Sequence, residues 1–221
     1  EVDATGVVNV DGDLNVSNGT LTVGSRHTNT GFLSTISSGD SNTNSSNCSF
    51  IGGGSSNTIT TSQASTVVAG QCNVITQGEN AIIGAGYSNL ICSAASSVIS
   101  SGTSNTICRG AGHTIGGGLS NTINVSDFGL GNTISGGNFN RICDVGGNTS
   151  CMSTIAGGDS NQILGAFAGF IAGYANLICH NYSAAVAFNR TSSATCTLYV
   201  SALSKTSGTF SIPHPDPSKT S

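Results

Sequence analysis

Residues 83–91 read Ile-Gly-Ala-Gly-Tyr-Ser-Asn-Leu-Ile, residues 99–107 read Ile-Ser-Ser-Gly-Thr-Ser-Asn-Thr-Ile, and residues 115–123 read Ile-Gly-Gly-Gly-Leu-Ser-Asn-Thr-Ile. Each stretch has isoleucine at both ends, glycine in its fourth position and asparagine in its seventh. The three stretches begin at equal intervals along the chain. Self-similarity at a fixed period is the sequence signature of a repeat architecture, so this nine-residue phrase indicates a repeat fold.

The same phrase returns over most of the chain. Its glycines recur at a nearly constant interval from Gly39 to Gly118, and the interval then lengthens before Gly137 and again before Gly158. The two long repeats contain an abbreviated copy at residues 131–134 and an insertion with a cysteine at residues 148–152. The remaining copies begin at Ile36, Ile51, Val67, Ile134, Ile155 and Phe170, and that at Ile36 lacks the closing isoleucine.

Each copy contains two β-branched segments that are too short to bury a face alone. The glycine and the asparagine between them tolerate a left-handed backbone, so both are predicted to form a corner there. Stacked coils would pair each backbone with the next at about 4.8 Å and bury the isoleucines in columns. A helical repeat is excluded because glycine costs about 1 kcal/mol at each helical position. The sequence therefore predicts an all-β fold, a β-solenoid or β-roll of about ten coils with a period near 16.

Three regions follow from where the phrase begins and ends. Residues 1–31 are predicted to form an N-terminal β-hairpin or shaft segment, because apolar residues alternate with polar ones on either side of Asn18-Gly19. Residues 32–190 form the β-roll. Residues 191–221 contain two predicted strands, 195–200 and 209–212, and then a proline-rich linker that leads to a further domain.

These regions together resemble two groups of surface proteins. The stacked Ile-x-x-Gly-x-x-Asn-x-Ile phrases are similar to the left-handed β-roll heads of trimeric autotransporter adhesins. Residues 6–16 (Gly-Val-Val-Asn-Val-Asp-Gly-Asp-Leu-Asn-Val) and 203–217 (Leu-Ser-Lys-Thr-Ser-Gly-Thr-Phe-Ser-Ile-Pro-His-Pro-Asp-Pro) resemble segments of viral and phage tail fibres. The resemblance implies a parallel homotrimer on a virion surface or outside a cell. It also implies a structural or attachment role, with a host-surface glycan or receptor as partner.

A few aliphatic residues favour oligomerisation independently of that resemblance. Val68, Ile82 and Val98 neighbour the core residues of their strands, and neighbouring side chains in a strand point to opposite faces. They are therefore predicted to point outwards. Packing this outward face against copies of itself would remove it from water, whereas a monomer would leave it exposed.

Composition excludes several classes of partner. Only 7% of residues are charged, and six lysines and arginines are too few and too scattered to hold a phosphate backbone. Nucleic-acid binding is therefore not expected. No run of 18 apolar residues occurs, so no membrane span is predicted.

Eight cysteines could suggest metal or redox chemistry. Cys92, Cys108, Cys143 and Cys179 each follow a closing isoleucine, and we expect them to stack in one column as small buried residues. Cys92 and Cys108 are one coil apart, a separation that a disulfide can span, so disulfides within or between chains are the alternative. No Cys-x-x-Cys occurs, and a zinc site is not predicted. The other cysteines are Cys48, Cys72, Cys151 and Cys196.

No constellation of catalytic residues is evident. Asp40 and Asp159 share a repeat position, but the intervening coils place them too far apart for a glycosidase pair. The histidines are predicted to lie on the surface, and Asp3, Asp11 and Asp13 offer at most a weak cation site. We therefore expect no enzyme activity, no cofactor and no metal. The histidines are His27, His113, His180 and His214.

Two alternative functions stay open. Some fibre solenoids degrade polysaccharide, which would require clustered acid, tyrosine or histidine side chains. Ice-binding solenoids present flat columns of threonine. Here the column after the repeat asparagine contains Thr58, Thr106, Thr122 and Thr133 but is interrupted, for example by Leu90.

Overall fold

The computed structural model describes residues 19–144 and 150–200, and within these ranges the chain is all-β with no helix. Up to residue 188, short strands alternate between two parallel sheets, so that each coil adds one strand to each sheet, and the strand at 198–200 then extends the same sheet as the strand before it. The ten-stranded sheet counts ten turns. The predicted β-solenoid with a period near 16 is therefore confirmed.

Within the described residues, sheet 1 has twelve strands. They are Leu21–Thr22 (β1), Thr35–Ile36 (β3), Phe50–Ile51 (β5), Thr66–Val67 (β7), Ile82–Ile83 (β9), Val98–Ile99 (β11), Thr114–Ile115 (β13), Thr133–Ile134 (β15), Thr154–Ile155 (β17), Gly169–Tyr174 (β19), Ala184–Phe188 (β21) and Leu198–Val200 (β22).

Sheet 2 has ten strands in the same part of the chain. They are Thr28–Asn29 (β2), Thr43–Asn44 (β4), Thr58–Thr60 (β6), Val74–Thr76 (β8), Leu90–Cys92 (β10), Thr106–Cys108 (β12), Thr122–Asn124 (β14), Arg141–Cys143 (β16), Gln162–Ile163 (β18) and Leu177–Ile178 (β20).

The core consists of two isoleucine columns, one from each sheet. In sheet 2, Ile91 pairs with Ile107 and Ile107 with Ile123. In sheet 1, Ile99 pairs with Ile115. These side chains are completely buried, and each contributes about 1.5–3 kcal/mol by leaving water. The predicted burial of the isoleucine columns is thus confirmed.

The corner between the two strands of a coil uses glycine as predicted, but not asparagine. Gly86 has φ +106°, and a side chain there would overlap the carbonyl oxygen of Gly102 in the next coil. The second left-handed residue is the one directly before each asparagine, such as Ser88 with φ +54°. Its N–H donates to the carbonyl of Gln71 in the preceding coil at 3.0 Å, which offsets part of the roughly 1–2 kcal/mol cost of this conformation. The prediction of a left-handed asparagine was wrong.

The asparagine has a different role, because its side chain lies inside the corner and links coils. Asn89 donates from its backbone N–H (3.1 Å) and its Nδ2 (3.0 Å) to Oδ1 of Asn73. The same Nδ2 approaches the carbonyls of Ala85 (3.2 Å) and Gly102 (2.9 Å). Its own Oδ1 accepts from Asn105 in the next coil. Every polar atom of this buried amide is therefore paired with a neighbouring coil or with its own.

We call this arrangement the asparagine ladder. All its members are at most 1% exposed, and each backbone N–H after the first donates to the preceding Oδ1 at 2.9–3.1 Å. The members are Asn42, Asn57, Asn73, Asn89, Asn105, Asn121, Asn140, Asn161 and Asn176.

The long repeats change the corners and leave the strands in register. Thr114 pairs with Thr133, and Thr133 pairs with Thr154, although both of these steps along the chain are longer than the usual repeat. Thr133 thus begins the sheet 1 strand of its coil. The predicted placement of Thr133 in the column after the repeat asparagine was wrong, because that column belongs to sheet 2.

Parallel coil pairing runs from Leu21 to Val200, which extends past the predicted 32–190 range on both sides. Of the predicted C-terminal strand at 195–200, residues 198–200 form β22. Most of the predicted N-terminal hairpin, the strand at 209–212 and the proline-rich linker lie outside the described residues.

The asparagine ladder makes a direct prediction about stability. Asn105→Ala leaves the buried N–H of Asn121 and the carbonyl of Ser101 without this partner, whereas the Gly118 carbonyl keeps the N–H of Thr103. Unsatisfied buried polar groups cost about 1–3 kcal/mol each, so we expect the unfolding free energy to fall by at least about 2 kcal/mol. Urea denaturation followed by circular dichroism measures it. Thr106→Ala is the matched control, because Thr106 is the next residue in the chain and its half-buried side chain lies on the outer face of sheet 2. This substitution should have a far smaller effect. Equal losses in the two variants would contradict a special role for the ladder.

Candidate functional site

The outer face of sheet 1 carries large apolar side chains near its middle. Val68 is 49% exposed, Ile82 41% and Phe50 38%, and Val98 is half-buried beside Ile82 in the same column. The predicted outward direction of Val68 and Ile82 is confirmed. We call these four residues the apolar stripe.

The outer face of sheet 1 also carries a threonine column. Threonines occupy successive coils at Thr114, Thr133 and Thr154. The column also contains Thr35 and Thr66, but Phe50 and Ile82 interrupt it. Sequence reasoning missed this column because it assigned Thr133 to the other sheet.

Aromatic rings line both edges of the last coils. Phe167 stacks on Tyr182 with ring centroids 5.1 Å apart, and Tyr174 stacks on Phe188 at 5.2 Å. Each of these side chains is 44–64% exposed. Because the rings stack along the solenoid axis, their edges rather than their faces point into solvent.

The cysteines do not form the predicted buried column. Cys92 and Cys108 lie opposite each other in β10 and β12, half-buried on the outer side of the isoleucines, and form a disulfide with a Cα–Cα distance of 4.7 Å. Only Cys143 of this column is buried, and Cys179 is a half-buried free thiol. Burial failed as a prediction because the position after the closing isoleucine points away from the core. Closing a loop of about 15 residues with a disulfide raises the free energy of unfolding by about 3 kcal/mol.

One thiol lies next to a histidine. His180 Nδ1 is 3.4 Å from Cys179 Sγ and 2.9 Å from Ser192 Oγ. A catalytic thiol requires a base that is itself oriented by a third group. The described contacts of this trio supply no carboxylate for that purpose, so we assign it no reaction.

His113 is completely buried, which corrects its predicted surface position. It lies in an inner column between Ser97 and Asn132. The backbone N–H of His113 donates to Ser97 Oγ, and its ring Nδ1 accepts from the backbone N–H of Asn132, both at 3.1 Å. Burial lowers the pKa of His113, against the opposing effects of the Arg109 backbone and the Asp144 carboxylate. The imidazole therefore serves as a neutral hydrogen-bond acceptor between coils.

The carboxylates are separated, as predicted. Parallel bridges connect Asp40 to Asp159 through six intermediate residues, which is about 34 Å at one strand spacing per step. A glycosidase pair requires about 5–9.5 Å. Asp40 instead binds Arg26, whose Nε lies 2.8 Å from Oδ1, and this ion pair holds the pKa of the carboxyl well below its usual range. Asp3, Asp11 and Asp13 lie outside the described residues.

Comparisons with known proteins add no family. A scan against protein-family models and a search of curated proteins each found no match. Residues 19–144 and 150–200 contain no group of three or more His, Cys, Asp or Glu side chains that could hold a metal ion. The same ranges contain no helix of the length and hydropathy that crossing a membrane requires.

The burial of His113 predicts a pH-dependent stability. A folded-state pKa below the unfolded value of about 6.5 means that the unfolded chain binds this proton more tightly. The free energy of unfolding is then at its full value above about pH 6.5. It falls as the pH drops below that value, by at most about 1.4 kcal/mol per pH unit for one proton. Denaturant titrations at about pH 7.5 and about pH 5.5 measure the loss.

His113→Asn is the matched variant, because Asn132 already performs the same role in this column by accepting the N–H of Ser153. We expect the variant to fold and to lose less stability than the wild type over this pH range. An unchanged pH dependence would contradict the assignment.

Proposed function

We propose that this chain is a rigid structural segment of a trimeric attachment fibre on a virion or cell surface. The observation that carries the proposal is the continuity of the two parallel sheets, which run through all described coils. Twelve strands at about 4.8 Å give a segment on the order of 50 Å long. The resemblance of residues 6–16 and 203–217 to fibre segments supports the same role.

The direction of the hydrogen bonds suits a fibre. Strands lie across the solenoid, so the bonds between coils run along its axis. Backbone pairs, the asparagine ladder and the Cys92–Cys108 disulfide all connect one coil to the next. Bending or stretching such a segment would strain many of these bonds at once, which favours stiffness.

The apolar stripe supports trimer formation. Specific protein interfaces have an apolar centre that is depleted in charge, and this stripe combines Phe50 with three aliphatic residues. In a monomer it would remain in water, whereas in a parallel trimer each copy would cover it for the others.

Ile82→Asp tests the trimer. We expect the wild-type chain to have a mass close to three times 21.9 kDa by light scattering coupled to size-exclusion chromatography. A carboxylate in the stripe would have to be buried without a partner, so the variant should run as a single chain with unchanged β circular dichroism. Val74→Asp, half-buried on the outer face of sheet 2, should keep the wild-type mass. A wild-type mass of one chain would contradict the trimer.

Ice binding is the second candidate, and the outward run Thr114, Thr133 and Thr154 favours it. Threonines on three successive coils form one column with a spacing of about 4.8 Å. Ice binding predicts thermal hysteresis that Thr133→Lys lowers, whereas the fibre proposal predicts none. Nanolitre osmometry at high protein concentration distinguishes the two, and absent hysteresis would remove this candidate.

A further inference from the structure

One edge of the N-terminal coils has a column of one aromatic and three polar side chains. Phe32, Asn47, Gln63 and Glu79 follow one another at one residue per coil. The backbone carbonyl of each member accepts a backbone N–H from the next coil at 2.8–3.0 Å, and these bonds hold the column in register. The donors are Cys48, Ala64, Asn80 and Ser96. It presents an aromatic ring, two amides and a carboxylate in a line along the axis.

This column borders a hollow of about 230 Å³. The volume is below the roughly 300–1,000 Å³ of drug-sized sites, so the hollow can hold only part of a longer ligand. Its lining is polar throughout and consists of Ser45, Ser46, Asn47, Thr61, Ser62, Gln63 and Glu79.

The Ser46 and Ser62 hydroxyls at the base of the hollow are engaged in hydrogen bonds, whereas the side chains of Gln63 and Glu79 are not. Ser46 Oγ accepts the N–H of Ser62, and Ser62 Oγ donates to the Thr60 carbonyl. Across residues 19–144 and 150–200, the amide of Gln63 and the carboxylate of Glu79 have no hydrogen-bond partner. These two groups are therefore available to a ligand.

Asn47 connects the polar groups to the aromatic ring. Its Oδ1 accepts the N–H of Phe32 at 2.9 Å, which orients the amide and leaves Nδ2 for a ligand. The Phe32 side chain is 52% exposed one coil away. A ligand along this column would meet donors and acceptors on three coils and an apolar surface on the fourth.

We propose that this edge binds a neutral oligosaccharide laid along the solenoid axis. Sugars carry hydroxyls that both donate and accept, which matches amides and a carboxylate, and their C–H faces pack against aromatic rings. The coil spacing of about 4.8 Å is close to the length of one pyranose unit, so successive sugars would meet successive coils. The inference rests on the proposed fibre function, to which it adds a ligand class and a site.

The charge of the site selects neutral sugars over acidic ones. Glu79 is in the lining, and no lysine or arginine is. Arg109 lies two coils beyond Glu79, about 10 Å along the axis, where its charge is largely screened at physiological salt. Its guanidinium also donates to Asn124 Oδ1 at 2.8 Å. A sialylated glycan would therefore meet a carboxylate without a compensating cation.

Saturation-transfer NMR titrations of the full chain test this site, with cellotetraose and tetra-N-acetylchitotetraose as neutral probes and 3′-sialyllactose as the acidic one. We expect at least one neutral probe to bind in about the millimolar range and the acidic probe to bind more weakly. Gln63→Ala should weaken binding about fivefold and Glu79→Ala about tenfold, through lost neutral and charged hydrogen bonds respectively.

Gln71→Ala is the matched control, because Gln71 is an exposed glutamine of the same coil on the opposite edge. It should leave the affinity unchanged. Three results would overturn the proposal: no transfer to either neutral probe, tighter binding of the sialylated probe, or an equal loss in Gln71→Ala. The mass of the same sample is measured separately, so a monomer that binds sugar would refute the trimer and spare this site.

Discussion

The fold depends on the asparagine ladder. Two short strands per coil cannot hold a sharp corner by themselves, and the asparagine corners from Gly39 to Gly158 each contain a glycine and a second residue in the left-handed region. The buried amide pairs its donors and acceptors with its own corner and with the coils before and after it. Low local dielectric strengthens such bonds but makes any unpaired member expensive. The ladder thus stabilises the corner only when the neighbouring coils are in place.

The two ends of the ladder are built differently from its middle. At the start, His27 takes the place of an asparagine, and its Nδ1 accepts the N–H of Asn42 at 3.1 Å. At the other end, Oδ1 of Asn176 accepts the N–H of Arg190 at 3.1 Å, after which no further ladder asparagine follows in the described coils. Terminal repeats of solenoids are commonly atypical because they have a neighbour on one side only.

The repeat period in the sequence predicted the features that depend on spacing alone. It did not predict the features that depend on hydrogen bonds to a neighbouring coil. The isoleucine columns, the glycine corners and the separation of Asp40 from Asp159 follow from spacing alone. The left-handed residues before each ladder asparagine could not be predicted, because their conformational cost is offset by hydrogen bonds to another coil. Thr133 was misplaced for a related reason: the segment 124–153 is longer than its repeats require, and only the structure shows at which corner the register is restored. His113 was misplaced because its burial depends on hydrogen bonds to Ser97 and Asn132 in the neighbouring coils. The hollow at Gln63 and Glu79 has no signature, because its residues are ordinary polar types one repeat apart.

The tolerance of the corners has a consequence for the length of such a molecule. Short and long repeats alike deliver their isoleucines to the same two columns, so the cross-section is independent of how much chain a corner contains. Height, by contrast, changes only in whole steps of about 4.8 Å. The length of the solenoid is therefore quantised by the number of coils. Duplication or loss of a single repeat would displace any group attached at its end by one such step, whereas the residues at the corners could vary without changing the length.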